Sequence, residues 1–237
     1  MRPFSISRTK NGSASRVNTT DSGGSIWYRV YLTIEFLVLF AGLPLLIYTQ
    51  RHALGGRVVP ILVVLAVGCV LALMLDPSFD RKRMWNVRSI RGTVRSMLMV
   101  FILGMVGMIA VFAWRQPDLL WSFPREHTRT WLLLMLTYPL LSVYPQEVIF
   151  RTFLFHRYDP LFRHVRAKIA ASGTAFGFAH IIFANWTAPI VTALIGFWFA
   201  RTYARSESTF AVSVEHVLWG LLAFTVGLGW YFYSPAI

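Results

Sequence analysis

An all-α, polytopic transmembrane bundle is the fold class this sequence predicts. Three observations carry it: a composition poor in charge, a recurring run of apolar segments, and a lopsided distribution of positive residues. Of 237 residues, 56% are hydrophobic and 14% are charged, against roughly 25% charged in an ordinary soluble domain. Apolar segments recur at about residues 30–49, 58–75, 97–114, 130–150, 169–185, 188–200 and 208–233. Most approach the ~20 residues that carry a helix across a bilayer. Seven spans is the reading. The short sixth segment and the long last one leave six or eight open.

The charge distribution tests that count, because Lys and Arg collect in cytoplasmic loops. With seven spans, the N-terminal segment and the loops around 76–96, 151–168 and 201–207 share one side and carry eighteen Lys/Arg, against five on the other side. The N-terminus is therefore expected inside and the C-terminus outside. The same bias explains a formal net charge of +13 without a nucleic-acid partner. The run RKRMWNVRSIRGTVR at 81–95 reads as a topology determinant lying against anionic lipid, and no nucleic-acid motif accompanies it.

Residues 1–25 are polar and Ser/Gly-rich, without the continuous apolar core of a signal peptide, and are expected to form a flexible cytoplasmic tail. Residues 26–237 read as one transmembrane domain. The single cysteine, Cys69, lies mid-span and supplies neither an internal disulfide nor a Cys-based zinc site.

Chemistry is sought among the ionisable residues inside the spans, since each is costly in lipid unless it faces protein or water. These are Glu35, Glu147, Arg151, His180, Glu215 and His216. Glu147 and Arg151 are spaced i, i+4 and fall within ion-pair reach on one helix face. An Arg near a span's end also snorkels, so the pair by itself is equally a structural neutralisation. Gln146 lies about 100° around the helix from Glu147; its amide orients a ligand but is no base. Counting 1.5 Å per residue, Glu147 lies about 24 Å along its inward-running span, and His180 and His216 about 18 and 15 Å along two outward-running ones. All three reach comparable depth and are expected to line one cavity. Such a set suits two chemistries: a carboxylate taking a proton from water while two imidazoles hold the water and the oxyanion, or a zinc site with the same three ligands.

The motifs QEVIFR, FGFAH and EHVLWG, in that order on successive apolar segments, resemble the CAAX-protease and bacteriocin-processing enzymes, the CPBP or Abi family of intramembrane proteases. The family pattern is EExxxR, then FxxxH, then HxxxN or HxxxB, and the resemblance covers about residues 130–225. Carried over, Glu147 and Arg151 match the first motif, Phe176 and His180 the second, and His216 the third. Gln146 stands where the family places its first Glu, usually its general base, and Gly220 where an Asn often assists the oxyanion.

The resemblance implies an intramembrane endopeptidase acting on membrane-associated proteins or peptides, in a bacterial inner membrane if the chain is bacterial. Glu147 would be the proton acceptor, with His180 and His216 placing water and oxyanion, and Gln146, Arg151 and Phe176 in support. No cofactor is expected, zinc on Glu147, His180 and His216 being the alternative. Asn185 and Glu215 are further candidates without a motif. Two other readings are carried. One is a membrane binding or immunity protein that keeps the cavity but has lost its base. The other is a small proton-coupled transporter using Glu35, Glu147 and the histidines.

Overall fold

The computed structural model describes residues 26–232, so the expected tail at 1–25 lies outside the described residues. Among the described residues the chain is helical throughout, with no strand. Seven long helices follow the seven apolar segments: α1 (Ile26–Thr49), α2 (Arg51–Leu75), α3 (Val87–Arg115), α4 (Thr128–Arg157), α5 (Val165–Ala179), α6 (Thr187–Ser206) and α7 (Thr209–Val226). Five of them, α1 to α4 and α7, are long and apolar enough to cross a membrane.

Large apolar side chains stand fully outward on these helices, including Trp27, Leu71, Leu103, Trp114 and Leu136. A surface so apolar is stable in lipid rather than in water. The chain is an integral membrane protein.

The two short segments behave differently from the expected spans five and six. Helix α5 stops at Ala179, passes into a tight turn over His180–Phe183 and reaches a left-handed Ala184 (φ 55°), so the expected helix to residue 185 is not formed. Asn185 then starts α6, its Oδ1 accepting the Ala188 N–H at 2.9 Å, which satisfies one of the orphan donors of a helix start. The two helices form a close hairpin packed on glycine. A Cβ at Gly177 would lie 2.5 Å from the Ala193 Cβ, and one at Gly173 would lie 2.3 Å from the Phe197 ring. Small residues bring the two backbones together, as in membrane helix pairs generally. The last helix ends at Val226, short of the expected 233, because Gly227 turns left-handed (φ 111°).

Helix α4 carries the first motif and is not a regular α-helix. Pro139 and Pro145 have no N–H to donate, and wider turns occupy Pro139–Val143 and Val148–Phe153. There the N–H of Tyr144 reaches the carbonyl of Pro139, and that of Leu154 reaches Ile149. Such π turns re-phase the side chains that follow.

One end of the bundle gathers the polar loops. Arg83 pairs with Glu207 at 2.9 Å, His156 with Asp76 at 2.9 Å, and Lys168 with Asp159. They line a polar recess of about 490 Å³. Glu35 joins this end of the molecule to α1: Arg157 holds both its oxygens (2.9 and 2.8 Å) and the Tyr158 hydroxyl donates to it at 3.0 Å. These loops are the ones the charge distribution assigns to a single side.

Candidate active site

Helices α4, α5, α6 and α7 converge on a buried charged centre. Glu147 and Arg151 are both fully buried, one turn apart on α4, with Arg151 Nη1 3.2 Å from Glu147 Oε1. That is an ion-pair distance, although Nη1 lacks the angle of a hydrogen bond. Helix α7 brings His216 to the same oxygen, its Nδ1 2.7 Å from Glu147 Oε1. Beside a buried guanidinium the carboxylate is the acceptor, so the imidazole carries its proton on Nδ1 and donates it. Glu147 Oε2 is buried with no hydrogen-bond partner.

Phe176, from α5, is the wall around which these groups are arranged. The Arg151 guanidinium lies 4.2 Å from its ring centroid, and its ring meets those of His180 and His216 edge to face at 4.7 and 5.5 Å. Phe199 of α6 stacks on His216 from another side at 4.8 Å. Arg151 Nη2 also donates to the Gly196 carbonyl at 3.4 Å.

The three residues expected to share a cavity are divided. An apolar cavity of about 160 Å³ lies between the α1–α2 hairpin and the motif helices; its wall includes Gln146 and His180 but neither Glu147 nor His216. Leu39, Phe40, Leu62 and Cys69 supply apolar wall opposite. His180 is oriented by its own helix: Nδ1–H donates to the Phe176 carbonyl at 2.7 Å, which leaves Nε2 as the ring's acceptor. Gln146 donates from its amide to Ser142 Oγ at 2.7 Å, and its carbonyl oxygen has no partner. The cavity wall therefore carries Gln146 and His180, while Glu147 and His216 are not part of it.

The supporting candidates separate as well. Asn185 caps α6 and donates to the Tyr231 carbonyl at 2.8 Å. Glu215, next to His216 on α7, is buried and accepts from Trp198 at 2.6 Å. Glu35 belongs to the Arg157 cluster and not to the Glu147 centre. Among the described residues no three His, Cys, Asp or Glu side chains gather closely enough to hold a metal ion. Glu147, His180 and His216, the alternative zinc set, do not form such a group.

Residues 128–222 match the model of the family described as Type II CAAX prenyl endopeptidase Rce1-like. The motif segment is similar to that family. No curated protein and no solved structure matches the chain. The match covers α4 to α7, the helices that build the centre. It agrees with the resemblance drawn from QEVIFR, FGFAH and EHVLWG, and the family is one of endopeptidases.

Within this Rce1-like segment two contributors escaped sequence reasoning. Tyr138 places its hydroxyl 3.3 Å from His216 Nε2, and Ser142 holds Gln146. A signal did exist, since Tyr138, Ser142 and Gln146 follow one another at i, i+4 through an otherwise apolar run.

Proposed function

We propose that this protein is an intramembrane endopeptidase that hydrolyses peptide bonds of membrane-associated proteins or peptides. Glu147, coupled to His216, is its proton acceptor. The observation carrying this reading is the buried hydrogen bond between Glu147 Oε1 and His216 Nδ1 inside an Rce1-like segment. A carboxylate and imidazole so joined hold a proton between them in a water-poor site.

Water attacks the scissile carbonyl carbon. As its oxygen bonds to carbon, its O–H bond breaks and the proton passes to the Glu147–His216 pair. When the C–N bond breaks, that proton leaves with the amine. His180 and Gln146, at the cavity wall, orient the water and the substrate carbonyl. Arg151, 3.2 Å from Glu147 Oε1, is a positioning residue. Catalysis is metal-free.

A second reading is favoured by one observation: the cavity wall carries Gln146, and an amide accepts no proton near neutral pH. On that reading the chain binds membrane peptides without cutting them.

One experiment separates the two. The chain is co-expressed with candidate membrane-anchored proteins, and products are read by mass spectrometry for wild type, Glu147→Gln and Gln146→Glu. A working enzyme cleaves as wild type and loses on the order of 10²- to 10⁴-fold in Glu147→Gln. Cleavage that appears only in Gln146→Glu identifies a lapsed enzyme. Equal cleavage by wild type and Glu147→Gln rejects the role given to Glu147. Metal content and chelation of the purified protein test the metal-free mechanism, which activity dependent on stoichiometric zinc would overturn.

A further inference from the structure

Nε2 of His216 faces away from Glu147 and would be a buried acceptor with nothing to bind, were it not for Tyr138. The Tyr138 phenol lies 3.3 Å from it, on α4 and two turns before the motif. The ring is fixed edge to face against His216 at 6.2 Å and against Phe224 at 5.2 Å. Its room comes from α7 itself. A Cβ at residue 220, one turn after His216, would lie 2.3 Å from both Cε1 and the hydroxyl of Tyr138. Glycine at 220 and tyrosine at 138 are therefore two halves of one fit.

We propose that Tyr138 is a positioning residue for His216, the third member of a Glu147–His216–Tyr138 chain that Gly220 makes possible. In the resting state Nδ1–H donates to Glu147, and the phenol O–H donates to Nε2. When the imidazole holds a second proton, Nε2–H donates instead and the phenol oxygen accepts it. A hydroxyl serves in both states because it is donor and acceptor at once. Both ring nitrogens of His216 thus keep a partner in either state. The surroundings of the ring are otherwise fixed: Arg151 lies against Glu147, Phe199 stacks on the ring, Phe176 meets it edge to face, and the neighbouring Glu215 is held by Trp198.

The catalytic part of this inference rests on the reading of His216 given above, whereas the hydrogen-bond chain does not. Its test is therefore made on the full chain in nanodiscs with 15N-labelled histidine, the His216 resonances being those lost in His216→Gln. A neutral His216 protonated on Nδ1 is expected, with an Nε2 resonance displaced upfield by an accepted hydrogen bond. Tyr138→Phe keeps the ring and its packing and should return Nε2 downfield, toward an unbonded imine nitrogen. Gly220→Ala should do the same with the phenol still present, and the double substitution should add nothing. An Nε2 resonance unchanged in Tyr138→Phe overturns the proposal, and that variant decides the matter if Gly220→Ala does not fold. In a cleavage assay Tyr138→Phe should lower kcat about tenfold at constant KM, the effect of one lost hydrogen bond. Absence of cleavage in wild type would reject the protease and leave the spectroscopic result standing.

Discussion

Replacing Arg151 by Met tests whether the charged centre is a single unit. Both Glu147 and Arg151 are fully buried, so removing the cation strands a carboxylate in a medium that solvates it poorly. Breaking a buried pair from one side costs about 3–5 kcal/mol. Glu147→Gln strands the guanidinium in the same way and should cost a similar amount. The double variant Glu147→Gln/Arg151→Met holds no charge at this position, so the stranding term disappears from it. What remains is the cation–π contact with Phe176 at 4.2 Å, worth about 1–2 kcal/mol when desolvated. The double variant should therefore be more stable than either single one, by about 2 kcal/mol. Unfolding in mixed micelles, monitored by far-UV circular dichroism, gives the three differences and their coupling. Two single losses below about 1 kcal/mol that simply add would show that water reaches both groups and that the centre is not the buried unit described here.

Gly177→Val should destabilise the α5–α6 hairpin by about 1–3 kcal/mol, because the new side chain meets backbone of Ala193 and Pro189 within 2.8 Å. Gly107→Ala is the control: it meets nothing within 4 Å, and its melting temperature should stay level or rise slightly. At the polar end, the Ser78 hydroxyl first and His156 next hold the Asp76 carboxyl down to about 2, below the ordinary 3.8. A depressed carboxyl stabilises above its unfolded value, and its contribution is lost as pH falls through the folded one. The protection factor of the Ser78 amide, its exchange rate corrected for the intrinsic pH dependence, should therefore fall between about pH 4 and pH 2, and Asp76→Asn should remove that fall.

The bundle was legible because lipid imposes its own grammar: a span must be long, apolar and internally hydrogen-bonded, so α1 to α4 could be read by length. The i, i+4 pair of Glu147 and Arg151 was legible for a similar reason, since one helical turn fixes its distance. The end of α5 was not. The run FGFAHIIFANW is apolar enough to continue, and the break after Ala179 follows from a left-handed Ala184 and the cap at Asn185. The ion pair of Glu35 with Arg157 joins residues 122 positions apart, and no local pattern announces such a partner.

The hardest feature to read was which of two adjacent side chains faces the cavity. Gln146 and Glu147 differ by about 100° on a helix, so a small change of phase exchanges their roles. The wide turns on both sides, at Pro139–Val143 and Val148–Phe153, set that phase here. With it, the neutral amide meets the cavity, while the carboxylate turns to Arg151 and His216. The motif letters cannot reveal this, because the same residues in a regular α-helix would point elsewhere. It follows that Gln146→Glu and Glu147→Gln are not reciprocal changes. The first adds a carboxylate at the wall of an apolar cavity beside His180, and the second removes the counter-charge of a buried arginine. A screen that finds the first variant folded and the second destabilised is the outcome this phase requires.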